Sequence, residues 1–305
     1  MRLSIIDLGT NTFNLLVAEK DAAGNLHVLH SEERSVFLGR GGIEQGLITG
    51  DAMERGIVVL RAFVDKSHEL GADGIMGFGT SALRNARNAQ DFTARAKREL
   101  DVDITIIPGE EEADLILDGV RQAVPFTAKP MLVMDIGGGS IEFILATDKA
   151  LMWKRSFEMG ATRLLERFSP SDPLSLEEYF RLCAHIDAQL DPLFAVMERH
   201  WPTALVGCAG PFDTLAELVC SDRGEALAHD AVSMAFGVTE FDAIKERLIG
   251  SARAERAAMK AIPTYRVDTL PLALIAIERV LAHGIEHVRW SRYALKEGAA
   301  WRMVR

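Results

Sequence analysis

Cysteine is scarce in this chain. Only Cys183, Cys208 and Cys220 occur in 305 residues, and their spacing fits no zinc site. So sparse and odd a count excludes a disulfide framework and points to a reducing, cytoplasmic setting. Long uncharged apolar runs are absent too. Asp7 cuts the N-terminal apolar stretch, and Asp135 and Glu142 cut the one that starts at Met131. Neither a signal peptide nor a membrane span is expected. Basic excess is missing: 34 Lys and Arg face 44 Asp and Glu, for a formal net charge of −10. Nucleic-acid binding over a broad surface needs a basic footprint, so that class is set aside. The eight histidines are scattered, with no His-Glu-x-x-His pair. No Gly-x-Ser-x-Gly elbow and no Walker A Gly-Lys-Ser/Thr appears, which removes two common enzyme classes.

What is present begins with an internal echo. Leu3-Ser4-Ile5-Ile6-Asp7-Leu8-Gly9-Thr10-Asn11-Thr12 opens the chain, and Met131-Leu132-Val133-Met134-Asp135-Ile136-Gly137-Gly138-Gly139-Ser140 follows 128 residues later. Each reads as an apolar strand, an Asp, a Gly-rich turn with a hydroxyl residue and a second apolar strand, which makes a β-hairpin with an anionic tip. Glycine lets backbone N–H groups approach a phosphate closely, and the Asp can hold a metal ion or orient water. A doubled hairpin of this kind suggests two similar lobes closing on a polyanion. The acidic balance opposes a polyanionic ligand, so neutralisation has to be local: backbone N–H groups, a few arginines and a divalent metal.

The rest of the chain organises around the two hairpins. Strands are expected at about 3–8, 13–19 and 26–36, with a turn at Asp21-Ala22-Ala23-Gly24-Asn25. A Gly-rich loop, Leu38-Gly39-Arg40-Gly41-Gly42, reads either as a flap or as an ordinary surface loop. Apolar residues at Met53, Ile57, Leu60, Phe63 and Val64 predict a helix over 51–70, stopped by Gly71. A strand at 75–78 runs through Gly79-Thr80-Ser81 into a helix bearing Arg84. A helix over 91–100, a strand at 104–107 and a helix opening at Glu110-Glu111-Glu112 complete a βββ-α-β-α-β-α order. The second half repeats the meander at about 131–136, 141–147 and 150–157. Its helices include one with a capping box at Ser175 and Glu178, one from Phe212, and ones near 240–249 and 269–281. A strand at 204–207, another at 287–290 and a last helix from Tyr293 finish it. The expected division is 1–125 and 126–305, with the final helix near 293–305 free to pack back on the first lobe.

The chemistry concentrates at few positions. Gly137, Gly138, Gly139 and Ser140, with Thr10 and Asn11, are the candidate phosphate-binding residues; a bare tight turn is the competing reading. Arg84, at a strand-to-helix junction, suits a phosphate oxygen or is a solvent-exposed cation. Asp7, Asp135 and Glu142 are candidates for Mg²⁺, with Mn²⁺ as an alternative, because Mg²⁺ takes one or two carboxylates, waters and phosphate oxygens. Each Asp also suits an Asx-type turn, and Glu142 could simply face outward. Strand alternation puts Ser140 and Glu142 on one face. Arg40, Arg87 and Arg266 rank lower.

Four motifs stand in a fixed order: Ile6-Asp7-Leu8-Gly9-Thr10-Asn11-Thr12, Gly79-Thr80-Ser81-Ala82-Leu83-Arg84, Pro108-Gly109-Glu110-Glu111-Glu112-Ala113 and Asp135-Ile136-Gly137-Gly138-Gly139-Ser140. In this the chain resembles the exopolyphosphatase / guanosine pentaphosphate phosphohydrolase family in its short, two-domain form. The resemblance implies an α/β fold of two actin-like, ribonuclease H-like lobes, each a mixed sheet flanked by helices, with an interdomain cleft. It implies a metal-dependent hydrolase acting on inorganic polyphosphate or on the 5′-phosphate of guanosine pentaphosphate. Glu112 would be the catalytic carboxylate that positions water, assisted by Asp135 and Glu142, while Glu110 and Glu111 complement the helix dipole. A homodimer is compatible with this reading. Ile141, Pro108 and the Cys208-Ala209-Gly210-Pro211 loop depart from the family pattern, the last in the region that recognises a base. The competing functions are an actin-like ATP-dependent small-metabolite kinase and a non-catalytic sensor of alarmone or nucleotide.

Overall fold

The computed structural model describes residues 2–21 and 26–304. Residues 22–25 of the turn expected at Asp21–Asn25 lie outside them. The chain divides into two compact units. The first comprises Met1–Gly119, Gly137–Gly139 and Ala294–Arg305; the second comprises Val120–Ile136 and Ser140–Tyr293. Both are the mixed-sheet α/β type that the actin-like pattern requires.

In the first unit β1 (Arg2–Leu8), β2 (Thr12–Lys20) and β3 (Leu26–Ser35) form an antiparallel meander. β4 (Gly74–Gly79) and β5 (Asp103–Ile106) extend it in parallel, giving the order β3-β2-β1-β4-β5. Alternation along β1 divides its side chains between two faces. Ile6 and Leu8 enter the core with Leu60 and Phe63 of α1 (Gly50–Glu69), Leu83 of α2 (Ser81–Asn85) and Phe92 of α3 (Ala89–Leu100). Asp7 therefore falls on the opposite face. Thr49 caps α1 by accepting from Ala52 N, and Gly71 closes it with φ +68°, a conformation that glycine adopts without steric cost.

Two helices complete this unit, α4 (Gly109–Ala123) as far as Gly119 and the last helix, Leu295–Val304. They meet backbone to backbone. A Cβ at Gly298 would lie 1.8 Å from Leu115 O, and one at Gly119 would lie 2.0 Å from Ala294 O. Only glycine fits at either position. This contact carries the C-terminal helix across β1 and β2.

The second unit repeats the scheme. β6 (Met131–Ile136), β7 (Ile141–Ala146) and β8 (Leu151–Phe157) form the meander. β9 (Ala204–Cys208) and β11 (His287–Ser291) run parallel to β6, and β10 (Ser233–Gly237) is added antiparallel at the edge, giving β10-β11-β9-β6-β7-β8. β6 and β7 are buried along their whole length, as central strands covered on both faces must be. Leu132, Met134, Ile136, Ile141, Phe143 and Leu145 face one core, packed by α5 (Ala161–Phe168), α6 (Leu176–His200), α7 (Gly210–Asp222), α8 (Val238–Ile249) and α10 (Leu270–Leu281). Ile141, which departs from the pattern of the resembled family, is fully buried in that core and is a packing residue. A short helix, α9 (Arg253–Ala258), lies between α8 and α10, and residues 295–304 are α11. β10, α5 and α9 are additions to the elements expected from the sequence. No helix among the described residues is long and apolar enough to cross a membrane.

Candidate active site

The two hairpins differ in what they bring to their tips. In the first unit the β1–β2 turn is closed by Gly9 N donating to Thr12 O at 3.1 Å, and a Cβ at Gly9 would sit 2.8 Å from that oxygen. The carbonyl of Asn11 accepts from Val36 N and Phe37 N, both at 2.8 Å, and that of Thr10 accepts from Gly39 N at 3.1 Å. The Leu38–Gly42 loop is thus hydrogen-bonded to the turn. Arg40 leaves that contact: it is exposed, and its guanidinium lies 4.0 Å over the Phe37 ring.

The glycine tip of the second hairpin is grouped with this first unit. A Cβ at Gly139 would lie 2.5 Å from both Ser81 Oγ and Thr10 Oγ1, and one at Gly138 would lie 2.8 Å from the Asn11 amide. Gly138 and Gly139 therefore rest against an amide and two hydroxyls, at a distance only glycine permits. Thr10, Ser81 and Ser140 are all buried. Thr10 and Asn11 thus stand beside Gly139 and Gly138, and Ser81, which spacing alone does not single out, stands with them.

Ser81 opens α2, a helix of five residues, too short to present an anion-binding N-terminus. Arg84 lies in its last turn. It donates from Nη1 to Glu112 Oε2 at 2.7 Å and to Ile107 O at 3.2 Å. The side chains of this pair are only 17% and 9% exposed, so it is a buried ion pair rather than a solvated surface one. Glu112 stands apart from its neighbours on α4: Glu110 and Glu111 are exposed, Glu112 is buried. Helical geometry turns three consecutive acids by about 100° each, which is why Glu112 can be buried against Arg84 while Glu110 and Glu111 stay exposed.

Asp7 is half-buried on the β1 face away from the core, opposite Asn14 in the β1–β2 register. Asn14 Nδ2 donates to Asp7 Oδ2 at 3.4 Å. Burial in this setting pushes the Asp7 carboxyl up from its ordinary 3.8 to about 7, against the pull of Lys296 and the Asn14 amide; Glu297 and Glu33 add to the rise. Lys296 and Glu297 open α11, where Glu297 Oε2 accepts from Ala294 N at 2.9 Å. Sequence reading does not foresee Lys296 beside Asp7, because 289 residues separate them and only the docking of α11 joins them.

The second unit holds Asp135 and Glu142. They are direct partners in the β6–β7 register and both are buried, Glu142 to 1% exposure. Glu142 does not face outward. Ser156 Oγ of β8 donates to Glu142 Oε1 at 2.6 Å, and Cys208 Sγ of β9 lies 3.4 Å from Asp135 Oδ2 and 3.8 Å from Met134 O. Burial, then the charge of Asp135, then its hydrogen bond, hold the Cys208 thiol well above its ordinary range, so it is a donor and not a thiolate. Two carboxylates side by side in a buried row repel unless a cation or a shared proton lies with them. Hard oxygen donors of this kind suit Mg²⁺ or Mn²⁺, which need few carboxylates when waters and phosphate oxygens complete the sphere. Among the described residues no group of three or more His, Cys, Asp or Glu side chains forms a ready metal cage. Asp135 and Glu142 are thus the pair whose chemistry fits the metal.

Arg87 donates to Gln45 O at 3.1 Å. Arg266 lies against the Gly210 backbone, where a Cβ would meet its Nε at 2.5 Å, and donates to Thr214 Oγ1 at 3.3 Å. Ala209, in the same loop, has φ +64° and ψ −179°, a region nearly reserved for glycine.

Known proteins share this arrangement of elements. A family model described as the Ppx/GppA phosphatase family matches residues 16–305. Exopolyphosphatase 1 of Mycobacterium tuberculosis is 29% identical over 308 aligned positions that cover 100% of this chain and 88% of that protein. The crystal structure of an exopolyphosphatase from Cytophaga hutchinsonii matches with a TM-score of 0.97 at 37% identity, covering 100% of this chain and 98% of the other. A Ppx/GppA member from Aquifex aeolicus, 22% identical, matches in fold with a TM-score of 0.81 over 100% of this chain and 97% of its own.

Proposed function

The chain belongs to the Ppx/GppA phosphatase family and is a hydrolase of that kind; from that premise we propose that it is an exopolyphosphatase, releasing terminal orthophosphate from inorganic polyphosphate with the help of a divalent metal. The observation that carries this reading is the seat of Gly138 and Gly139 against Asn11, Thr10 and Ser81, the last of which lies three residues ahead of the arginine that pairs with Glu112. Backbone N–H groups and hydroxyls at such a tip donate to phosphate oxygens. Arg84 adds charge-assisted donors.

Phosphoryl transfer rests mainly on positioning and on neutralising charge. Thr10, Asn11, Ser140 and the glycine backbone would fix the terminal phosphate. Asp135 and Glu142 would hold a divalent cation, which when bound offsets charge on the phosphate oxygens. Glu112 would orient a water and take its proton as the water oxygen attacks the terminal phosphorus. The bridging P–O bond breaks, and its electron pair leaves with the shortened chain. Arg84 sets the direction of the Glu112 carboxylate, so the acid need not be strongly basic.

The relatives from M. tuberculosis and C. hutchinsonii are named exopolyphosphatases, and that name favours polyphosphate. Guanosine pentaphosphate presents the same terminal phosphoanhydride and is the second substrate we propose. The test measures orthophosphate release from long polyphosphate, tripolyphosphate, guanosine pentaphosphate and ATP, side by side, with Mg²⁺, with Mn²⁺ and with chelator. Release from polyphosphate that vanishes in chelator is the expected result. ATP consumption that rises with a small metabolite, giving a phosphorylated product, would refute it.

A further inference from the structure

Strand register aligns four residues of the second unit in one row. Cys208 of β9 is opposite Asp135 of β6, Asp135 is opposite Glu142 of β7, and Glu142 is opposite Ser156 of β8. Side chains alternate along each strand. The neighbours Met134, Phe143, Phe157 and Leu205 all face the apolar core, so the row projects from the other face of the sheet. Its order is donor, acid, acid, donor. The thiol lies 3.4 Å from Asp135 Oδ2, and the Ser156 hydroxyl donates to Glu142 Oε1 at 2.6 Å.

The first unit has the corresponding row with different chemistry. There Asp7 is opposite Asn14, and Asn14 is opposite Glu33. The position matching Glu142 is an amide that donates to Asp7, and the position matching Cys208 is Phe78. The two hairpins echo each other, yet only the second sets two carboxylates together with a donor on each outer side. A carboxylate oxygen held by a fixed donor keeps its rotamer, and a pair so held meets a cation with less reorganisation.

We infer that Cys208 and Ser156 are positioning residues that fix Asp135 and Glu142 from the outer sides of the row and so preset the two acids for one divalent cation. The inference rests on the proposed role of Asp135 and Glu142 as the metal carboxylates. It assigns a use to a buried thiol that the hydrolytic chemistry leaves idle, and to a serine that only the β7–β8 register brings to the site.

The test is calorimetric titration of Mn²⁺ into the metal-stripped full-length protein without substrate, with thermal melting in parallel. Cys208→Ala and Ser156→Ala are each expected to weaken Mn²⁺ binding about tenfold. Cys208→Ser and Ser156→Thr keep a donor and are expected to stay within about threefold of the parent. Cys208→Val fills the site without donating, and carries the test should Cys208→Ala not fold. In turnover, the alanine variants should need more Mn²⁺ for half-maximal rate while KM for polyphosphate at saturating metal stays put. Three results overturn the inference: alanine variants that bind Mn²⁺ like the parent, donor-retaining variants as weak as the alanines, or a parent that binds no Mn²⁺. A parent that binds Mn²⁺, with variants behaving as expected, but releases no orthophosphate from polyphosphate refutes the functional reading and leaves the positioning role standing.

Discussion

Asp7 should make the protein less stable as pH rises through neutrality. Its carboxyl is pushed from 3.8 to about 7, chiefly by burial, so the folded chain holds a proton that the unfolded chain gives up. Below the unfolded value both states are protonated and no penalty exists. Between the two values the fold's disadvantage grows with pH, and above the folded value it is complete. At about 1.4 kcal/mol per pH unit, the full penalty is roughly 4 kcal/mol. Asp7→Asn removes the charge and keeps an oxygen that can accept from the Asn14 amide. In chelator, the melting temperature of Asp7→Asn should match the parent near pH 4 and exceed it by roughly 10 °C near pH 8. Polyphosphate turnover should fall in the same variant if Asp7 serves as the metal carboxylate that its Asp-Gly hairpin motif suggests. Lys296→Met should steepen the parent's pH dependence by removing the cation that opposes the rise. A difference between parent and Asp7→Asn that stays flat from pH 4 to pH 8 would show that the carboxylate is solvated and the reasoning wrong.

Other expectations follow from single contacts. In guanidinium unfolding, Arg84→Met strands the buried Glu112 and should cost about 3 kcal/mol, while Arg84→Met/Glu112→Leu should cost less than the sum of its singles by about 2 kcal/mol; strict additivity would mean the pair is solvated. Gly298→Ala puts a methyl 1.8 Å from a backbone oxygen of α4, so melting should report a loss near 3 kcal/mol, and an unchanged melting temperature would contradict that close contact. Gly139→Ala drives a methyl into Ser81 and Thr10; it should lower kcat/KM for polyphosphate at least about a hundredfold, and parent-like turnover would remove the tip from the site.

The hairpins are legible in the sequence because their signal is local. An Asp, a glycine turn and flanking apolar runs lie within about a dozen residues, and the structure forms β1–β2 and β6–β7 from those segments. Buried Glu112 among exposed neighbours follows from helical geometry once α4 is known. β10 is not legible: Ser233-Met234-Ala235-Phe236-Gly237 has little strand character, and it becomes a strand by pairing with β11, about fifty residues on. The Arg84–Glu112 pair, the Lys296–Asp7 approach and the Cys208-Asp135-Glu142-Ser156 row share that cause. Each joins segments far apart in the chain through register or helix docking, which no local pattern encodes. Cys208 in particular reads as an inert departure until the parallel β6–β9 pairing sets it beside Asp135.

The most direct measurement is orthophosphate release from long polyphosphate by Glu112→Gln at saturating Mg²⁺, with circular dichroism and melting matched to the parent. The amide keeps the size of the side chain and an acceptor for Arg84 but cannot take a proton from water. Loss of at least about a hundredfold in kcat, with KM little changed, is the predicted result. Release at the parent's rate from a folded Glu112→Gln would contradict the account.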